Sequence, residues 1–92
     1  MLYKSIVFTD YLTYRAQLRG FDLSLIEKII RYSPERYFDS ESYRYVVIGE
    51  HINKLVMIPY EETETTITPV TIHATTRQQV KFRLTTGRLR YE

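Results

Sequence analysis

The sequence predicts a single α+β domain over residues 1–92, in which two N-terminal helices pack on a four-stranded antiparallel sheet. Three observations lead to this prediction. The chain is too short to bury two separate cores. Apolar residues recur at helical spacing before Pro34. After Pro34 the pattern changes to alternation, rich in aromatic and β-branched residues, which is typical of strands.

The first helix is predicted after the opening segment "MLYKSIVF", which fits either a short strand or a packed lead-in. Thr9 or Asp10 can cap the N-terminus of this helix. Gly20 is placed to end it, because glycine readily adopts the left-handed backbone that a helix C-terminus often needs. The spacing i, i+3 and i+7 puts on one helix face the residues Tyr11, Tyr14 and Leu18.

The second helix has the clearest pattern in the chain, "DLSLIEKIIRYSP". Ser24 and Glu27 have the spacing of a capping box, and Pro34 is expected to stop the helix. A buried stripe along the helix is predicted to consist of Leu25, Ile26, Ile29 and Ile30.

The predicted sheet follows in four pieces. "ERYFD" and "YRYVVIGE" form a hairpin around the polar "SES", and "KLVMIPY" is the third strand after the "GEHIN" turn. Pro59 suits a strand end or an edge, where its missing N–H is harmless. "EETETT" is expected to be a solvated acidic loop, and "ITPVTIHATT" to be the fourth strand.

Composition excludes several classes of site. The chain has no cysteine, so disulfides and thiolate metal sites are ruled out. His51 and His73 lie far apart with no ligand spacing around them, and we expect neither a metal nor a cofactor. No apolar run approaches the roughly 18 residues of a membrane span, so no membrane partner is expected. A cytoplasmic location is the expectation.

Charge is distributed unevenly along the chain. Residues 1–70 hold eight Lys/Arg and ten Asp/Glu, a net charge of −2, whereas residues 71–92 hold five Lys/Arg and one Glu, a net charge of +4. A basic C-terminal segment on an acidic body indicates an anionic partner, either nucleic acid or an acidic protein surface. A solvated polar end is the alternative.

The basic segment itself fits two structures. Val80, Phe82 and Leu84 alternate with Lys81 and Arg83, as in a β-hairpin. A helix is equally compatible, since Thr75 with Gln78 and Thr76 with Gln79 both have capping-box spacing, and Gly87 is placed as the residue after a helix C-terminus. Local periodicity leaves residues 77–91 open between the two.

The order of elements and the ending "TPVTIHATTRQQVKFRLTTGRLRYE" resemble the small toxins of bacterial toxin–antitoxin systems in the RelE-like superfamily, within it the BrnT-type branch. His73 stands where that branch often has serine, and Thr75 where it often has arginine. The resemblance implies a basic C-terminal helix over roughly residues 77–86. It also implies RNA and an antitoxin protein as partners, and it allows a homodimer.

RelE-like toxins are characteristically metal-independent endoribonucleases, so the resemblance implies that activity or RNA binding for this chain. His73 is the candidate acid or base because its ordinary pKa lies near neutrality, and Arg77 is the candidate catalytic cation. Arginine has the forked geometry that phosphate oxygens fit. The candidate RNA-binding residues are Lys81, Arg83, Arg88, Arg90 and Tyr91, the last as a stacking partner for an unpaired base.

Each candidate also has a purely structural interpretation. His73 can be a hydrogen-bonded junction residue, and Arg77 and Arg83 can pair with carboxylates of the acidic body. Under that interpretation the chain keeps the fold without the chemistry, and acts as an inactive binding module for a partner protein or nucleic acid.

Overall fold

A computed structural model describes residues 4–91 of the chain. It is an α+β fold with three helices and a seven-stranded sheet over those residues. The elements in chain order are β1 (Ser5–Ile6), α1 (Asp10–Arg19), α2 (Leu23–Tyr32), β2 (Arg36–Asp39), β3 (Arg44–His51), β4 (Lys54–Glu62), β5 (Thr66–Pro69), β6 (His73–Thr75), α3 (Arg77–Thr85) and β7 (Leu89–Tyr91).

The sheet is larger than the four strands that the sequence predicts. Its strand order is β1-β5-β4-β3-β2-β7, and β6 pairs with β4 beyond the end of β5. All pairings are antiparallel except β1 with β5, which is parallel. The predicted hairpin of β2 and β3 and the strand β4 are confirmed. The opening segment contributes β1, and the basic C-terminal segment contributes the edge strand β7.

The predicted fourth strand is divided by a bulge. Tyr60 pairs with Pro69, but Met57 pairs with His73, so the strand opposite β4 contains one extra residue between β5 and β6. Pro59 lies inside β4, so its prediction at a strand end or edge is wrong. The Pro59 carbonyl accepts from the Val70 N–H at 2.8 Å, at the bulge between β5 and β6. The backbone N–H and C=O of a residue project to the same side of a strand, so the N–H that proline lacks would also face this bulge.

Helices cover both faces of the sheet. On one face α1 and α2 pack over a first core. On the opposite face α3 and β7 cover a second core, which comprises Tyr37, Val46, Ile48, Met57, Val80 and Leu89. Burial on both faces explains the continuous apolar runs Val46–Val47–Ile48 and Val56–Met57–Ile58 in the central strands.

Both N-terminal helices form as predicted, and the caps of α1 are confirmed, but the buried face of α1 and the N-cap of α2 differ from the prediction. Thr9 caps α1, accepting from the Leu12 N–H at 3.1 Å, and Gly20 ends it with φ 74°. The face of Tyr11, Tyr14 and Leu18 points to solvent, and α1 instead buries Leu12 and Ala16. Asp22, not Ser24, caps α2, so the predicted capping box of Ser24 with Glu27 is wrong.

The predicted acidic loop "EETETT" is present but shorter than expected, because Glu61 and Glu62 belong to β4 and Thr66 begins β5. β4 continues through Glu62, and a short turn follows in which Thr63 Oγ1 accepts from the backbone N–H groups of Thr65 and Thr66. No helix within residues 4–91 combines the length and apolarity needed to cross a membrane.

Candidate functional site

The basic C-terminal segment forms the helix α3 and then the strand β7, so the helix alternative is confirmed for Arg77–Thr85 and the hairpin alternative is wrong, since β7 pairs with β2. Thr76 caps α3 by accepting from the Gln79 N–H at 3.1 Å. Gly87, with φ 82°, turns the chain toward β7. The Ser40 hydroxyl bonds to the carbonyls of Gly87 and Arg88, each at 3.0 Å, and ties this turn to the β2–β3 turn.

An open groove of about 990 Å³ lies between α3, β7 and the β2–β3 turn. We call it the arginine groove, because three of the predicted RNA-binding residues meet there: Arg83, Arg88 and Arg90. Its other α3 side chains are Gln78, Gln79 and Phe82, Thr86 lies just after the helix, and the β2–β3 turn adds Ser40 and Glu41. The groove therefore combines cations, neutral hydrogen-bonding amides and one exposed aromatic ring.

The three arginines differ in how they are held. Arg88 contacts Asp39 at 3.4 Å and Glu41 at 3.5 Å. Burial of Asp39 opposes its ionisation, but hydrogen bonds from the Glu41 N–H, Arg88 and Ser42 hold the pKa of Asp39 below its usual value. Arg83 donates to the Met57 sulfur at 3.7 Å, a weak acceptor, and Arg90 donates to the Gly87 carbonyl at 3.3 Å.

His73 begins β6 and is half-buried beside Met57, its register partner in β4. Burial is the largest cause that lowers its pKa below the ordinary value of about 6.5. The positive charges of Arg19, Arg83, Arg15 and Arg88 lower it further, in that order. The imidazole is therefore neutral at physiological pH and lies within the electrostatic reach of four guanidinium groups.

Sequence reasoning missed Arg15 and Arg19, because they lie on α1, more than fifty residues before His73. Arg19 donates to the Ile72 carbonyl at 3.0 Å, at the start of β6. Arg15 donates to the Tyr11 hydroxyl, while its Nε has no hydrogen-bond partner among the described residues. Their i, i+4 spacing on a predicted helix was the available signal, but only the packing of α1 brings them near His73.

Arg77, at the start of α3, is paired with a carboxylate of the acidic body. Its guanidinium forms an ion pair with Glu35 at 2.7 Å, and Glu35 also accepts from the Tyr37 hydroxyl at 2.7 Å. Burial of Glu35 raises its pKa, but the bonds from Arg77 and Tyr37 lower it more. The pairing of His73 with Arg77 as catalytic residues therefore stays a prediction, and in this structure the guanidinium of Arg77 is engaged by Glu35.

Two predicted RNA-binding residues lie outside the arginine groove. Lys81 is exposed on α3 without lining it. Tyr91 is an exposed residue of β7 whose ring meets the Tyr37 ring edge-on at 5.5 Å.

The arginine groove can bind an anion through its guanidinium groups, and the neutral imidazole of His73, outside the groove lining, can accept or donate a hydrogen bond. Among residues 4–91, no three histidine, cysteine or carboxylate side chains lie close enough to hold a metal ion together. Comparison of the chain with protein-family models, with curated proteins and with solved structures gives no match.

Proposed function

We propose that the chain is a toxin-like RNA-binding protein of the RelE-like kind, which holds RNA phosphates in the arginine groove. The observation that carries this proposal is the convergence of Arg83, Arg88 and Arg90 on one open groove. Planar guanidinium groups match the spacing of phosphate oxygens and can donate two parallel hydrogen bonds.

The three arginines differ in how strongly their guanidinium groups are already engaged, and hence in how readily each can bind phosphate. Arg88 already faces two carboxylates, so a phosphate must compete with Asp39 and Glu41 for it. Arg83 contacts only a weak sulfur acceptor through its Nη1, and the Arg90 side chain is exposed. Arg83 and Arg90 therefore have more donor capacity left for phosphate than Arg88 has.

The proposal is tested by measuring the affinity of a labelled single-stranded RNA for wild-type protein and for Arg83→Ala, by fluorescence anisotropy over a salt series. Loss of one charge-assisted contact, worth about 1.5–3 kcal/mol, is expected to weaken binding by about tenfold or more. The slope of log K against log salt is expected to fall by about 0.7, since one fewer counterion-releasing contact remains.

Lys81→Ala is the matched control. It removes one exposed positive charge from the same helix but leaves the groove lining intact. Equal losses of affinity in Arg83→Ala and Lys81→Ala would show diffuse attraction rather than a groove site, and would contradict the proposal.

A second candidate function, RNA cleavage, is favoured by the neutral imidazole of His73 beside Arg83 and Arg19. A neutral imidazole can accept the proton of a ribose 2′-OH while the 2′-oxygen bonds to phosphorus. The bond to the 5′-oxygen then breaks, and the imidazolium can return the proton to that leaving oxygen. Nearby guanidinium groups would stabilise the charge that develops on the phosphoryl oxygens.

Expression of the wild-type chain and of His73→Ala in a bacterium, followed by growth and total RNA integrity, separates the two functions. Growth arrest and RNA cleavage that require His73 would support the ribonuclease. Intact RNA together with groove-dependent binding in vitro would favour an inactive binding module, and partnership with an antitoxin protein stays a prediction.

A further inference from the structure

Four aromatic rings lie together on the sheet face that carries α1 and α2. Phe38, Tyr45 and Tyr60 are neighbours across β2, β3 and β4, since Phe38 pairs with Tyr45 and Tyr45 with Tyr60. Phe38 meets Tyr45 edge-on at 5.5 Å and Tyr43 at 6.1 Å, while Tyr45 stacks on Tyr60 at 6.2 Å. We call these four residues the aromatic row.

Two rings of the row, Tyr43 and Tyr45, are open to solvent. Tyr60 is buried and has Arg36 over its ring at 5.6 Å, whereas Tyr45 is 41% and Tyr43 80% exposed. These three tyrosines line an open depression of about 480 Å³. A planar ligand can therefore reach tyrosine rings that already pack against neighbouring rings of the row.

Tyr43 occupies a backbone conformation that bulky residues rarely adopt, with φ 57°. The Asp39 carboxylate holds the turn by accepting from the Glu41 and Ser42 N–H groups, and the Tyr43 N–H donates to the Asp39 carbonyl at 2.8 Å. Glycine or asparagine would fit this position with less strain, so a tyrosine here points to a use for its ring.

The aromatic row and the arginine groove lie on opposite faces of the sheet and meet around its edge strand β7. Arg90, which lines the groove, is the register partner of Phe38 at one end of the row. The β2–β3 turn that carries Tyr43 also contributes Ser40 and Glu41 to the groove. A single extended ligand can therefore contact the groove and the row together.

Charge around the depression disfavours phosphate at the row itself. Glu61, Glu62 and Glu64 line it; Glu61 pairs with Arg44 at 3.5 Å and Glu62 with Lys4 at 2.6 Å. A neutral base suits this surface better than an anion, because it stacks on tyrosine without bringing a second negative charge.

We infer that the aromatic row is a stacking platform for unpaired nucleobases of the RNA whose phosphates the arginine groove holds, an inference that rests on the proposed function. Bases stack on aromatic side chains when they are unpaired and splayed from the backbone. A proline-rich peptide can also pack on tyrosines, but it lacks the phosphates that fit the adjoining arginines.

The test compares two labelled RNAs of equal phosphate number, one with all its bases and one with consecutive abasic sites. Anisotropy titrations with wild-type protein are expected to show tighter binding of the base-bearing RNA. Tyr45→Leu is expected to weaken binding of that RNA by about tenfold and to leave binding of the abasic RNA unchanged, since a stacked base contributes about 1–3 kcal/mol.

Two variants control for folding and for tyrosine loss. Tyr45→Phe keeps the ring and is expected to bind both RNAs like the wild type. Tyr14→Leu removes a tyrosine that is 60% exposed on α1, outside the row, and is expected to change neither affinity. Thermal unfolding followed by circular dichroism checks that each variant is folded.

Equal affinity of the wild type for the two RNAs, with no effect of Tyr45→Leu, would overturn the platform and leave the arginine groove standing. A proline-rich peptide that binds and loses affinity in Tyr45→Leu, while neither RNA depends on Tyr45, would also overturn it. Failure of the wild type to bind either RNA would overturn the proposed function itself.

Discussion

His73 illustrates how the surroundings of a residue decide its chemistry. An isolated histidine titrates near neutrality, but burial and the charges of Arg19 and Arg83 make the protonated form of His73 unfavourable. The candidate base is therefore neutral over most of the physiological pH range. A bound phosphate would reverse part of this effect, because its negative charge offsets that of the guanidinium groups.

We expect the His73 titration, followed by NMR of its imidazole C–H signal, to have a midpoint below about 6.5, the ordinary value. Because the unfolded chain takes up this proton at higher pH than the folded chain, the free energy of unfolding should fall as pH drops from about 6.5 toward the folded pKa. Above that range the titration of His73 should make no contribution to the pH dependence of the free energy of unfolding.

Addition of inorganic phosphate should move the His73 midpoint upward. His73→Asn should remove the fall in the free energy of unfolding that His73 causes below about pH 6.5, as measured by urea unfolding across a pH series. A midpoint above the ordinary value in the free protein would contradict the placement of His73 among arginines.

Gly49 shows a different constraint at a single position. A Cβ on Gly49 of β3 would lie 2.7 Å from Ile29 Cγ2 on α2. Ile29 is buried and its β-branched side chain has little rotamer freedom in a helix, so the neighbour cannot easily move. Glycine at this position therefore sets how closely α2 can approach the sheet.

At the scale of elements, α3 depends on its N-cap, for which the sequence offered two candidate threonines, Thr75 and Thr76. Thr76 Oγ1 accepts from the Gln79 backbone N–H, whereas the Thr75 hydroxyl contacts only the Gln79 side chain at 3.1 Å. The buried face of α3 is narrow, since Val80 is its one fully buried residue and Leu84 is partly buried. The N-cap is thus a substantial part of what keeps this helix formed.

Thr76→Ala is expected to destabilise the protein by about 1 kcal/mol, because it leaves a helix N-terminal donor without its side-chain acceptor. Thr75→Ala is the matched control and should cost clearly less. Urea unfolding monitored by circular dichroism measures both variants, and a larger loss in Thr75→Ala would contradict the assignment of the cap.

The strand pairing of β7 also acts at this scale. β7 pairs with β2 over three residues, and Asp39 of β2 contacts Arg88 just before β7 begins. The same short strand thus places Arg88 and Arg90 at the groove and Tyr91 against Tyr37.

For the molecule as a whole, the sheet separates two cores that serve different purposes. The core under α1 and α2 is the larger, and the core under α3 and β7 supports the arginine groove. Leucines illustrate the division, since Leu89 in the second core is 1% exposed while Leu18 on α1 is 67% exposed.

Leu89→Ala is expected to destabilise the fold by about 2–5 kcal/mol, as deletion of a buried leucine side chain leaves a cavity. It should also weaken RNA binding, because α3 and β7 lose their shared packing. Leu18→Ala, the control, should change the free energy of unfolding by less than about 0.5 kcal/mol. Similar losses in both variants would contradict the facing of α1.

Local sequence determined the parts of this fold that depend on neighbouring residues. Thr9 and Gly20 marked the ends of α1, the spacing of the isoleucines marked α2, and alternation with aromatic and β-branched residues marked β2, β3 and β4. The basic charge of residues 71–92 likewise marked the segment that builds the arginine groove. These signals act over a few residues, so they can be recognised without the rest of the chain.

Only the tertiary structure decided how those parts meet. It placed α3 on the face opposite α1 and α2, divided the fourth strand at Val70–Ile72, and turned Tyr14 and Leu18 to solvent. It also brought Arg19 to His73 and tied Arg77 to Glu35. These outcomes depend on register and packing between residues far apart in the chain, which no local period encodes.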